Sequence, residues 1–176
     1  MVSPVSTFPE YCPDCGSQLS LVVMEGRERA YCSTCERPIY RNAKPCAGAL
    51  VVDSDAVLLV ERTNPPAVGS WSLPAGFLEY DEPPAEAAAR ELREETNLRV
   101  RPDELSFFDT RLIANSDGIC VLVMIYRTAV GTTRGSVEAG SDAAAARFWN
   151  LDALDAAGET LEPGYETIFR TAVSDG

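Results

Sequence analysis

The 176-residue sequence contains no histidine and a single lysine, Lys44. The first absence removes every Ser–His and Cys–His nucleophile scheme and every imidazole-ligated metal site. Acid–base chemistry must then fall to carboxylates, tyrosines, the lone lysine or metal-bound water. Long apolar runs are missing too. None approaches the roughly 20 residues that a membrane-spanning helix needs, so no membrane partner is expected. Met1 to Glu10 lack the basic start and apolar stretch of a secretory signal, and the expected location is the cytoplasm. Basic residues are few, 15 against 27 acidic ones, for a formal net charge of −12. A field of that sign disfavours non-specific contact with nucleic acid or anionic lipid. It fits an ordinary acidic enzyme, or a halophilic chain adapted to high salt, to which the scarcity of lysine also points.

The chain is long enough for one full α/β domain and a small appendage, and its 45% hydrophobic content is that of a globular protein. The appendage is expected over residues 8–40. Cys12-Pro-Asp-Cys15-Gly16 and Cys32-Ser-Thr-Cys35 form two C-x2-C pairs separated by 16 residues. That interval lies in the window of about 15–20 residues expected of a four-cysteine zinc ribbon, with Cys12, Cys15, Cys32 and Cys35 as ligands of a structural Zn2+. Gln18 to Met24 and Arg27 to Cys32 read as a hairpin turning at Glu25-Gly26. So few residues cannot bury enough surface to fold alone, and the metal would supply the folding free energy. Two disulfides are the competing reading, but they are rare in a reducing compartment. Mixed local charge makes a nucleic-acid partner unlike this ribbon, so a packing or homodimer-forming role is expected of it. Cys46 and Cys120 sit in apolar runs, as inert core thiols do.

Residues 41–176 make up the larger domain. Ala47 to Val52 and Ala56 to Val60 read as a hairpin turning at Asp53-Ser54-Asp55. Pro83 and Pro84 suit a helix's first turn, with Asp81 as its N-cap. Along that helix Glu91, Glu94 and Glu95 fall within about 100° of arc, beside a packing face of Ala85, Ala88, Ala89 and Leu92. Three carboxylates on one flank repel one another and weaken a bare helix. Placed next to the packing face, they form a ligand set for a hard divalent cation, Mg2+ or Mn2+.

The series Gly76, Glu82, Arg90-Glu91-Leu92, Glu94-Glu95, Asn97-Leu98 resembles the Nudix box, G-x5-E-x7-R-E-U-x-E-E-x-G-U, over residues 76–98, departing from it at Asn97 alone. Asn is the next-best residue for the left-handed conformation that ends a helix there. The resemblance implies a Nudix α/β/α sandwich with a mixed sheet and a metal-dependent pyrophosphohydrolase activity. By the same resemblance Glu91, Glu94 and Glu95 hold the metals, with the Ala75 carbonyl completing a shell. Glu91 or Glu94, or an acid such as Asp142 or Glu138 from the loop at 131–146, would activate water. Arg90 would orient a glutamate, and Glu82 would brace the loop leading into the helix. Arg62 reads as an exposed charge at a strand end, with contact to a substrate phosphate as the sharper alternative.

The ribbon, the Tyr40-Arg41-Asn42 segment, Trp71 and Leu73-Pro-Ala-Gly76 are similar to Nudix proteins acting on ADP-ribose, FAD or NADH. The NADH enzymes carry a proline-rich array beyond the box, whereas Phe107 to Ile113 holds no proline, which favours ADP-ribose or FAD. A sensor or regulator on the same scaffold, binding a partner or nucleic acid through the ribbon, is the alternative. It would be expected to lose box glutamates, and all are present. Leu105 to Asn115 and Ile119 to Val130 read as further strands, Arg147 to Asn150 as a short one, and Tyr165 to Val173 as a closing helix.

If the acidic balance is a salt adaptation, the thermal midpoint rises between dilute buffer and molar KCl as repulsion is screened. A midpoint that stays flat or falls would leave the charge as ordinary acidity.

Overall fold

The computed structural model describes residues 8–65, 67–114, 119–140 and 143–174. They divide into two compact units, one from the described residues of Met1–Ala43 and Ala114–Cys120, the other from those of Lys44–Ile113 and Val121–Gly176.

The smaller unit is a three-stranded antiparallel sheet, β1 (Ser20–Met24), β2 (Arg27–Cys32) and β3 (Arg37–Ile39), in that order. Glu25 and Gly26 both adopt positive φ, 52° and 76°, as the tight two-residue hairpin turn demands. Each cysteine pair is likewise followed by a left-handed residue, Gly16 at φ 72° and Glu36 at φ 53°. The sequence reading missed β3, which is three residues long and contains Pro38. Such a strand is too short to show a period.

The larger unit is built on a mixed sheet of order β10-β5-β4-β9-β8, with β6 added to β5 and β7 to β4. Its strands are β4 (Lys44–Asp53), β5 (Ala56–Arg62), β6 (Trp71–Ser72), β7 (Ala75–Phe77), β8 (Ser106–Ala114), β9 (Cys120–Ala129) and β10 (Ala143–Trp149). Strands β4 and β9 run parallel, in register from Lys44↔Val121 to Val52↔Ala129, while β5 is antiparallel to β4 and β10. Every residue of β4 from Cys46 to Val52 is buried or nearly so, as a central strand covered on both faces requires.

Alternation along β4 divides the core in two. Ala47, Ala49 and Val51 pack with Ala87, Ala88 and Leu92 of helix α1 (Pro84–Thr96). Leu50 and Val52 pack with Ile168, Phe169 and Ala172 of α3 (Glu166–Ser174). Alanines on both sides of the first contact let α1 lie close to the sheet. A short helix, α2 (Leu151–Ala156), is capped by Asn150, whose side chain accepts from the amides of Asp152 and Ala153. No helix among the described residues is long and apolar enough to cross a membrane.

Three local expectations are corrected. Asp81 does not cap α1; Pro83 occupies that position, with no side-chain cap bond. A residue before proline is driven to extended backbone, so Glu82 and Pro83 are both barred from the helix, which starts at Pro84. Ala87 joins Ala88 and Leu92 as fully buried, while Ala89 packs partly buried against the same cluster and Ala85 is only partly buried. Strand β10 begins at Ala143 rather than Arg147, because pairing with β5 extends through an alanine run that carries no β-branched signal.

Candidate active site and four-cysteine cluster

The end of β5, strand β7 and the second half of α1 line a cavity of about 460 Å³, with Arg62, Ala75, Gly76, Phe77, Arg90, Glu91 and Glu95 among its residues. Glu91 lies directly on Gly76: a Cβ added to that glycine would stand 2.0 Å from Glu91 Oε1. The box glycine is therefore the space in which the carboxylate sits. Glu95 is buried, 8% exposed, and its Oε2 accepts from the Ala75 amide at 3.2 Å.

Arg90 ties the acids together. Its Nε and Nη2 form a fork on the two Glu82 oxygens, each at 2.8 Å, and Nη2 also donates to the Phe77 carbonyl at 3.0 Å. Nη1 reaches Glu91 Oε1 at 2.5 Å and Glu94 Oε2 at 3.3 Å. The guanidinium beside Glu82 holds that carboxyl below the usual carboxylate range, and the acids in turn raise Arg90. Glu82 also accepts from the Glu79 amide, so it braces the turn before α1.

Glu91 and Glu95 thus come together on the cavity wall with Ala75 and Gly76. Glu94 is exposed, bonded to Arg90 and to Arg93 at 2.9 Å, and is not among the lining residues. Glu138 is exposed; its amide donates to the Thr96 carbonyl at the end of α1. Asp142 lies outside the described residues. Asn97 closes the helix at φ 60°, and its side chain donates to the Ser136 carbonyl at 3.2 Å. Gly140 donates to the Glu95 carbonyl, and a Cβ there would meet the Glu94 carbonyl at 2.5 Å. The segment read from sequence as a polar loop is therefore bound along the C-terminal turn of the glutamate-bearing helix.

In this cavity sequence reasoning favoured the wrong exposure for Arg62 and passed over Phe77 and Glu79. Arg62 is not a simple surface charge: its side chain is 29% exposed and its Nε is buried. Phe77 and Glu79 also line the wall, where following the box glycine was the available signal. Cys46 is buried as expected, and burial, with Glu91 and Glu95 nearby, pushes its thiol up to about 12. It is inert.

In the smaller unit the sulfurs of Cys12, Cys15, Cys32 and Cys35 all lie within 4.8 Å of one another, and Cys15 and Cys32 stand 3.5 Å apart. None is in a disulfide. Sulfurs about 2.3 Å from one tetrahedral centre would be roughly 3.8 Å apart, so the cluster fits a closed metal site. Hydrogen bonding from Ser17 lowers Cys15 to about 6, while Cys15 and Cys32 push Cys35 up to about 12. Four thiolates cannot coexist there without a cation to offset them.

Residues 43–171 match the NUDIX domain. The chain belongs to the Nudix hydrolases. An ADP-ribose pyrophosphatase of Methanocaldococcus jannaschii is 28% identical over 116 residues, 66% of this chain and 67% of that protein. A MutT-like protein of Streptomyces ambofaciens is 36% identical over 125 residues, 64% of this chain and 77% of that one. The NAD-capped RNA hydrolase NudC of Pseudomonas fluorescens is 33% identical over 91 residues, 52% of this chain but 32% of its own length. A Nudix hydrolase structure from Nitrosomonas europaea has a TM-score of 0.72 at 25% identity, covering 95% of this chain and 92% of that one. The α/β/α fold and the pyrophosphohydrolase class of this chain follow. Within the Nudix box, the Arg90 network and the Gly76 contact give this chain's box residues their physical reasons.

Proposed function

We propose that this Nudix enzyme hydrolyses the phosphoanhydride of a nucleoside diphosphate linked to a second moiety, with ADP-ribose favoured, FAD next and NADH last. The observation that carries this reading is the pair Glu91 and Glu95 on one cavity wall, the first laid on Gly76 and the second held by the Ala75 amide. Glu91, Glu94 and Glu95, with the Ala75 carbonyl, are the residues that would hold Mg2+ or Mn2+, since hard cations take oxygen ligands. Bound there, the cation would neutralise phosphate charge and make a water molecule more acidic.

The water oxygen forms a new P–O bond as the bridging P–O bond breaks, and the water proton passes to a carboxylate. ADP-ribose would give AMP and ribose 5-phosphate. Arg90 keeps Glu91 aimed at the cavity, and Glu91, Glu94, Glu138 and Asp142 are the candidates for the base. The ADP-ribose pyrophosphatase named among the relatives and the proline-free segment Phe107 to Ile113 support the substrate order. The acidic balance favours a small nucleotide derivative over RNA.

A substrate panel with Mg2+ or Mn2+, read as phosphate after phosphatase coupling, tests this. Glu91→Gln and Glu95→Gln are each expected to lower turnover roughly 10²-fold or more while the fold survives. Glu86→Gln, exposed in the first turn of α1, is expected to be nearly silent. Of Asp142→Asn and Glu138→Gln, only the variant that removes the base should show a large loss at saturating metal. Near-normal turnover of every active substrate by both Glu91→Gln and Glu95→Gln would place the chemistry elsewhere.

The four-cysteine cluster is proposed to hold Zn2+ as a structural ribbon. Metal analysis of purified protein should find about one zinc per chain, and loss of Cys12 or Cys32 should cut folding yield. Zinc-free protein whose thiols titrate as disulfides would refute the assignment.

A further inference from the structure

Among the described residues lining the 460 Å³ cavity, the cations are Arg62 and Arg90. Arg90 is committed to Glu82, Glu91, Glu94 and the Phe77 carbonyl. Arg62 differs. Its backbone is fixed at the end of β5, with its amide bonded to the Ser70 carbonyl at 3.0 Å and its carbonyl to the Gly69 amide at 2.8 Å. Its side chain is half-buried, and its Nε is buried without a hydrogen-bond partner among the described residues. Its ion pair, with Glu162, is 3.8 Å long, too far for a hydrogen bond. A buried donor left unmade costs stability, and such groups in native proteins are usually satisfied by water or a ligand.

The position relative to the carboxylates matters. Arg62, Glu91 and Glu95 all line the one cavity. A cation whose Nε has no hydrogen-bond partner among the described residues therefore lines the same space as the two acids. A diphosphate substrate presents two phosphates to that space. A metal held by the glutamates would serve the one that takes up water. The other brings negative charge into a cavity whose second arginine is already engaged.

We propose that Arg62 is a substrate-binding residue that grips, through its planar fork, the diphosphate's second phosphate, the one that is not attacked. This rests on the hydrolase reading and deepens it: the site selects diphosphate diesters by the second phosphate, whatever the moiety beyond. Glu162, 3.8 Å away, is too far to satisfy the guanidinium with a hydrogen bond. A guanidinium matches two phosphate oxygens at once, which an ammonium cannot do.

The test compares Arg62→Gln, Arg62→Lys and Glu162→Gln with the unaltered protein. Steady-state kinetics on ADP-ribose are paired with calorimetric binding of ADP in Mg2+ and with thermal midpoints. Arg62→Gln is expected to raise KM and weaken ADP binding by roughly 10- to 100-fold, the scale of a lost charge-assisted hydrogen bond, while kcat changes far less. Arg62→Lys should recover part of the loss. Glu162→Gln separates the two roles of the arginine. If Arg62 serves only as half of an ion pair, this variant reproduces the Arg62→Gln defect and the proposal falls. If Arg62 binds phosphate, Glu162→Gln leaves KM unchanged or lowers it. ADP binding by Arg62→Gln within twofold of the unaltered protein would also overturn the assignment. Because ADP binding is read without turnover, an Arg62 effect on a protein that hydrolyses nothing would defeat the hydrolase reading alone.

Discussion

The constraint on which the larger unit's chemistry depends is the crowding of carboxylates along α1. Two carboxylates about 5 Å apart repel by about 3 kcal/mol at an effective dielectric near 20, and a helix gains little from its own propensity to set against that. Arg90 answers most of it from one side chain, binding Glu82, Glu91 and Glu94 and anchoring to the Phe77 carbonyl. Backbone answers the rest. The Ala75 amide receives Glu95, and Gly76 vacates the volume that Glu91 fills. The strand before the helix and the helix itself are thereby locked in one arrangement, with carboxylates held at a cavity wall instead of dispersed into solvent.

The far end of α1 is secured by different means. Its last carbonyls would be orphaned without partners. The amides of Glu138 and Gly140 take up the carbonyls of Thr96 and Glu95, and the Asn97 side chain adds a bond to Ser136. Gly135 and Gly140 permit the approach, since a Cβ on either would strike backbone oxygen at 2.8 or 2.5 Å. Asn97 thus does more than tolerate a left-handed turn. In this chain the residue that departs from the box also fastens the following segment to the helix.

Much of this was legible in the sequence because the relevant signals are local. The Glu25-Gly26 turn, the β4–β5 hairpin and the box glutamates each announce themselves within a few residues. The failures came where a neighbour decides. Asp81 looked like a cap until the prolines at 83 and 84 are seen to delay the helix. Glu94 shares an arc with Glu91 and Glu95 by sequence spacing, but its bonds to Arg90 and Arg93 are visible only in the structure. The alanines at 143–146 carry no strand preference of their own and become β10 only because β5 offers its edge. Arg62 reads as a surface charge, and its buried Nε emerges only from the packing of the elements around it.

The central claim is that Glu91 and Glu95 hold a divalent cation in the cavity beneath Gly76. Mn2+ titration followed by electron paramagnetic resonance, without substrate and with zinc retained in the cysteine cluster, tests it most directly. The unaltered protein should bind Mn2+, and the Glu91→Gln/Glu95→Gln double variant, with an unchanged thermal midpoint, should lose that binding. Equal stoichiometry and affinity in the two proteins would contradict the account.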